Sequence, residues 1–218
     1  MRRYIFALLL GLLGAGLLFE LGFWQLRRLE WKTAMLAEIA AQAQGPAQEL
    51  PASGTDTRGL KYQPVEIDGA STGQEILVLT GQKGLGAGFE VISAFETGAG
   101  RRILLDRGFV AEAKRDAPRP ATALIVQGNL HWPEEADSYT TPPDAATGLW
   151  YARDVAAMAE SLGTEPVLVV AARVAGDAQG ITPRPLGVEG IPNDHFGYAL
   201  TLFSLGFVWL GMTAFLIW

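Results

Sequence analysis

The chain contains no cysteine and only two histidines, His131 and His195, in 218 residues. The first absence excludes disulfides, thiolate metal ligands and Cys-x-x-Cys-His cofactor attachment, while remaining compatible with an oxidising compartment. The central part of the chain must therefore be held by its core alone. Also missing are a Gly-x-Ser-x-Gly elbow, a His-Glu-x-x-His pair and a Gly-x-x-x-x-Gly-Lys-Ser/Thr phosphate loop. With two histidines available as bases, classical hydrolase or transferase machinery is hard to assemble. No basic tract occurs, and 17 Lys and Arg against 23 Asp and Glu give a net charge of -6. That balance argues against nucleic acid, because phosphate binding needs clustered lysine and arginine. "GQKGLGAG" (81 to 88) lacks the spacing of a dinucleotide loop and reads as a hairpin connection.

What the chain does have is apolar length at both ends. Residues 4 to 24 carry Glu20 as their only ionisable side chain after Tyr4, and residues 196 to 218 carry none except Tyr198. Each run is long enough for a hydrocarbon core, which needs about 20 helical residues. The first run ends in "FELGFWQLRR" without a small-x-small cleavage site, so an uncleaved signal anchor is expected. Trp24, Trp31, Trp209 and Trp218 include candidates for interfacial aromatic belts. Two spans place both termini on one side of the membrane. Arg2 and Arg3 ahead of the first span favour a cytoplasmic N-terminus, although Arg27, Arg28 and Lys32 behind it nearly balance them. The expected organisation is a cytoplasmic N-terminus (1–3), transmembrane helix (4–24), periplasmic α+β domain (25–194) and second transmembrane helix (195–218).

Within the central part, "RRLEWKTAMLAEIAAQAQ" (27 to 44) has helical composition and continues the first span outward until "GPAQELPASGTDTRG" breaks it. Six runs rich in β-branched and aromatic residues follow: "YQPVEIDG", "EILVLTGQ", "GFEVISAFETG", "RRILLDRGFV", "ALIVQGNL" and "PVLVVAARV". Short strands at short spacing predict an antiparallel β-sheet or small barrel. "DVAAMAESLG" (154 to 163) predicts one helix, with Asp154 as N-cap and Gly163 as C-cap. The fold class is membrane α+β: two transmembrane helices flanking a sheet or barrel domain with one or two helices of its own. "GDAQGITPRPLGVEGIPND" (176 to 194) reads as an extended return to the membrane.

Chemistry concentrates at the start of the second span. If that helix begins near Asn193 or Asp194, His195, Tyr198, Ala199 and Leu202 share one face. Two readings stand for the histidine and tyrosine: rings at headgroup depth, or a cofactor site, since imidazole is a common ligand for haem iron. In "LLDRGFV" (104 to 110), Asp106 and Arg107 read as a mutual ion pair at a turn or as a partner contact. His131, in "GNLHWPEE", reads as a loop histidine, surface or partly packed.

In order along the chain, "GFWQLRRLEWK" (22 to 32), "YQPVEIDG" (62 to 69), "GFEVISAF" (88 to 95), "LLDRGFV" (104 to 110), "GLWYARD" (148 to 154) and "NDHFGYALTLF" (193 to 203) resemble the Surfeit-locus-one family of cytochrome c oxidase assembly factors. The block after the first span and the one opening the second are distinctive as a pair. One departure is Leu202, where the family often has tryptophan. The resemblance implies a bacterial member in the inner membrane, multi-pass with both termini cytoplasmic. It would act as a chaperone of oxidase assembly rather than an enzyme, binding haem a and assisting its insertion into the catalytic subunit. Implied partners are cytochrome c oxidase subunit I and the lipid bilayer, with haem a synthase a further candidate. His195 is implied as the axial ligand of haem iron, with Tyr198 and Glu20 as cofactor-binding neighbours.

Glu20 is an intramembrane carboxylate, a type usually paired and functional, and near His195 it could orient the imidazole through its second nitrogen. Gly11 and Ala15 offer a small-x-x-x-small pair for close helix approach. Arg27 and Arg28 could meet haem propionates or lipid headgroups. Two alternatives remain open: a scaffold that stabilises an assembly intermediate without ligating haem, and a membrane-anchored periplasmic enzyme working with carboxylates.

Overall fold

The structure is a computed structural model that describes residues 2–218 apart from 56, 58, 83–85, 145–146 and 188–192. The chain divides into two compact units: Met1–Ala40 with Val188–Trp218, and Ala41–Gly187.

The first unit is a pair of helices. Helix α1 spans Arg2–Ala43 and helix α3 spans His195–Ile217. Both are long and apolar enough to cross a membrane. Most of their large apolar side chains lie exposed, among them Leu13, Leu17, Phe207 and Phe215. Water would penalise that surface and lipid does not, so the pair is built for a bilayer. Helix α1 continues past the apolar run as expected for residues 27 to 44. Its 42 residues correspond to about 63 Å at the usual rise, roughly twice the hydrocarbon thickness. The hydroxyls of Thr201, Ser204 and Thr213 donate to carbonyls four residues back at 2.8–2.9 Å, which satisfies them without water.

The two helices meet along stripes of small residues. Gly11 lies against Thr213, Gly14 against Trp209 and Gly22 against the Phe203 ring, while Ala15 and Ala199 are buried. A side chain at Gly22 would collide with that ring, so glycine there permits the approach. Phe19 packs on Phe203 and Phe207 with ring centroids 6.1 and 5.2 Å apart, and Phe23 on Phe203 at 5.2 Å. Without a hydrophobic drive between helices in lipid, such packing is what holds them together.

The second unit is a closed barrel. Its strands are β1 (Pro64–Gln82), β2 (Gly86–Thr97), β3 (Arg102–Ala111), β4 (Thr122–Leu130), the two-residue β5 (Leu149–Trp150) and β6 (Leu168–Gly176). Five of them form a ring in the order β1-β2-β3-β6-β4, closed by the antiparallel pairing of β4 with β1. All pairs in the ring are antiparallel except β3 with β6. Each ring strand is paired on both sides over part of its length, which shortens the exposed sheet edge.

Two runs expected as separate strands are one strand here. The "ASTG" between them does not turn the chain back; it bends β1 at a register shift between Ser71 and Glu75. Gly73, at φ 81, takes the left-handed conformation that the bend requires. The first part of β1, Pro64–Ser71, pairs with β4 and the part from Gly69 to Gln82 pairs with β2, so the bend closes the barrel. Strands β1 and β2 pair as a hairpin out to Gln82 and Gly86, as expected for "GQKGLGAG", whose residues 83–85 lie outside the described residues.

Side chains alternate between two cores. Val65, Ile67, Phe95, Ile103, Leu105, Leu124, Val126, Leu130 and Val169 fill one cluster drawn from every strand of the ring. Ile76, Val78, Ile92, Leu104, Leu168 and Val170 form the other, beneath Val155, Met158 and Ala159 of α2 (Val155–Leu162). That helix has the expected caps: Asp154 accepts from the Ala157 amide, and Gly163 ends it in the left-handed conformation.

Candidate functional site

His195 is the first residue of α3, following Asp194, whose carbonyl accepts from the Tyr198 amide at 3.2 Å. The stripe packing described above continues to this end of the pair, where Phe203 and Gly22 bring the helices close just inside the histidine. On α1, Gln25 lies three residues beyond Gly22 and so on the same face. Its Oε1 sits 2.7 Å from Nδ1 of the half-buried His195. Tyr198, one turn further along α3, is 60% exposed. Asn193, two residues before the histidine, has a buried side-chain oxygen with no partner among the described residues.

Glu20 is not the residue that meets the imidazole. Its carboxylate accepts from Arg27 at 2.7 Å on the outer surface of α1, both side chains being largely exposed. Arg28 stacks its guanidinium over the Trp31 ring at 4.1 Å. Gln25 was missed in the sequence because its partner lies 170 residues away. The available signal was an amide directly after the apolar run, within the same block that carries the family resemblance.

A second polar constellation lies in the barrel. Asp106 is fully buried and Glu90 nearly so, on the strand face that α2 covers. Arg153, immediately before the α2 N-cap, reaches Asp106 at 3.2 Å, Glu90 at 3.9 Å and Glu135 in a further ion pair. Arg184 adds a contact to Glu90 at 3.6 Å. Burial, with Glu90 beside it, pushes the Asp106 carboxyl up from 3.8 to about 8, against the pull of Arg153. Desolvation lowers the Arg153 guanidinium, but its bond to Glu135 and the charges of Asp106 and Glu90 outweigh this and raise it. Burial would raise Glu135, yet Arg153 holds it below the ordinary value.

The ion pair expected between Asp106 and Arg107 is therefore absent. Asp106 and Arg107 take different partners: Arg107 reaches Gln179 at 2.8 Å and the Asp177 carbonyl at 3.3 Å. His131 is buried at the end of β4 rather than on the surface. Its ring lies 5.6 Å from that of Tyr62, and Nδ1 has no partner among the described residues. Burial first, then the Arg153 and Lys61 charges, lower it from 6.5 to about 4.

Among the described residues no group of three or more His, Asp or Glu side chains is placed to hold a metal ion. A lone imidazole can ligate a metal only if that metal brings its other ligands with it, as the iron of a porphyrin does. The donor set at His195 fits such a group: one nitrogen is engaged by Gln25 and the other is left for a ligand.

Two helices suited to a bilayer, packed below a boundary histidine, together with a closed barrel between them in sequence, define a membrane-anchored α+β protein. The chain belongs to the SURF1 family, whose model matches residues 12–207. It is 27% identical over 212 residues to Surfeit locus protein 1 of Rattus norvegicus, covering 86% of this chain and 68% of that one. It is 29% identical over 218 residues to the SURF1-like protein of Monosiga brevicollis, covering 91% and 82%. Surfeit locus protein 1 of Homo sapiens is 26% identical over 213 residues, covering 86% and 69%.

Proposed function

We propose that this chain is a cytochrome c oxidase assembly factor that binds haem a through His195 and assists its insertion into subunit I of the oxidase. Family membership supports the assembly role. The observation that carries the haem reading is the half-buried imidazole at the membrane boundary, held through Nδ1 by a residue of the other helix. When bound, haem would bring the iron, and His195 would hold it, with the exposed Tyr198 ring beside it on the next turn. Glu20 and Arg27 pair with each other on the outer surface of α1, so Glu20 would meet haem only where the cofactor reaches around that helix.

The protein crosses a bacterial inner membrane twice, with both termini cytoplasmic and the barrel periplasmic. A ligand at the boundary receives a membrane-embedded haem and passes it sideways, with haem a synthase a candidate donor. The non-catalytic reading is supported by the barrel's paired carboxylates, which are enclosed under Arg153 and α2 rather than open to a substrate. Deleting the gene in a strain without a paralogue should lower the haem a content of the oxidase while its polypeptides are still made. Normal haem occupancy would refute the proposal.

A further inference from the structure

We infer that Gln25 is the positioning residue for His195: it pins the imidazole proton on Nδ1 and leaves Nε2 as the lone-pair nitrogen facing the ligand. The inference rests on the reading of His195 as a haem ligand and adds how that ligand is held. An amide Oε1 can only accept, so the 2.7 Å contact requires Nδ1 to donate. In a neutral imidazole the nitrogen that does not donate carries the lone pair, and the hydrogen bond made by one nitrogen decides which it is.

The contact is not an isolated encounter between surface side chains. It is the last rung of an antiparallel ladder in which Gly11 meets Thr213, Gly14 meets Trp209, Phe19 meets Gly206 and Gly22 meets Phe203. Those rungs fix the approach and register of the helices, and with them the position of Gln25 against His195. Both side chains are half-buried, so water competes less for the bond than it would on an open surface. The two sequence blocks that stand out as a pair, one closing the first span and one opening the second, thus meet in a single hydrogen bond. A neutral amide orients the imidazole without the added basicity that a carboxylate would confer, which suits a cargo that must be released.

The test uses the full-length protein in detergent with nitrogen-15 histidine, at a pH well above the ordinary imidazole value of about 6.5. Two-bond proton–nitrogen correlation reads the tautomer directly, and with two histidines in the chain a His131→Gln variant assigns the signals. Wild-type His195 should carry its proton on Nδ1. Gln25→Leu, an apolar helix former, should lose that state, and Gln25→Glu, which keeps the acceptor, should retain it. An Nε2-protonated wild type, or a Gln25→Leu protein with the tautomer unchanged, overturns the inference. Titration with haemin should show binding weakened roughly 10- to 100-fold in Gln25→Leu, as for lost ligand-orienting partners, and restored in Gln25→Glu. Haemin binding that survives His195→Ala would instead overturn the ligand reading, whatever the tautomer.

Discussion

Replacing Arg153 with methionine keeps a long apolar stem above the barrel but strands a buried charge. Asp106 and Glu90 both lie against the Arg153 guanidinium, and burial raises the Asp106 carboxyl to about 8. Glu90 retains Arg184 at 3.6 Å, but that side chain is 36% exposed and gives weaker compensation. Removing one partner of a buried pair costs about 3–5 kcal/mol. The expected loss is therefore about 4 kcal/mol near neutral pH. Hydrogen–deuterium exchange of β2 and β3 amides in the full-length protein reads the local opening energy, and exchange should accelerate by roughly two to three orders of magnitude. Adding Glu90→Gln should recover part of the loss. A change below about 1 kcal/mol, the range of exposed pairs, would refute the reasoning.

Two further outcomes follow from the same structure. Asp106 is raised from 3.8 to about 8, so its stabilising contribution is complete below pH 3.8 and lost as pH rises through 8. His131 is depressed from 6.5 to about 4, so its contribution is present above 6.5 and lost as pH falls through 4. The two offset each other between about 4 and 6.5, leaving barrel stability to decline from about pH 6.5 to 8. Asp106→Asn should remove that decline and expose an acid limb below 6.5 in denaturant titrations; an unchanged pH profile would contradict both assignments. In the helix pair, Gly22→Leu forces a side chain into the Phe203 ring and should weaken packing by about 1–3 kcal/mol. Because the chain lacks cysteine, a Gly11→Cys, Thr213→Cys disulfide reports the pairing, and its yield should fall in the Gly22→Leu background.

What was legible in the sequence was what local chemistry specifies. The terminal helices follow from unbroken apolar length, and the caps of α2 from Asp154 and Gly163 at its boundaries. The hairpin between β1 and β2 follows from its glycines. The continuity of β1 was hidden because "ASTG" has the composition of a turn, while the strand continues through it only since β2 and β4 both pair with it. Asp106 beside Arg107 looked like a pair because sequence shows neighbours; in the fold the acid meets Arg153, 47 residues away. Gln25 and Glu20 present the same difficulty. Both are polar residues near the end of the first span, and only the rotation of α1 against α3 selects the amide.

The central claim is that His195 ligates haem a, and its most direct measurement is an absorption spectrum of the protein purified after co-expression with haem a synthesis. Wild-type protein and a His131→Gln control should carry a haem a Soret band. His195→Ala should lose the band while the barrel stays folded, because a half-exposed boundary ring contributes little packing to it. If His195→Ala retains haem a at wild-type stoichiometry with an unshifted spectrum, ligation by this residue is contradicted, and a scaffold that holds the assembly intermediate without ligating haem becomes the better account.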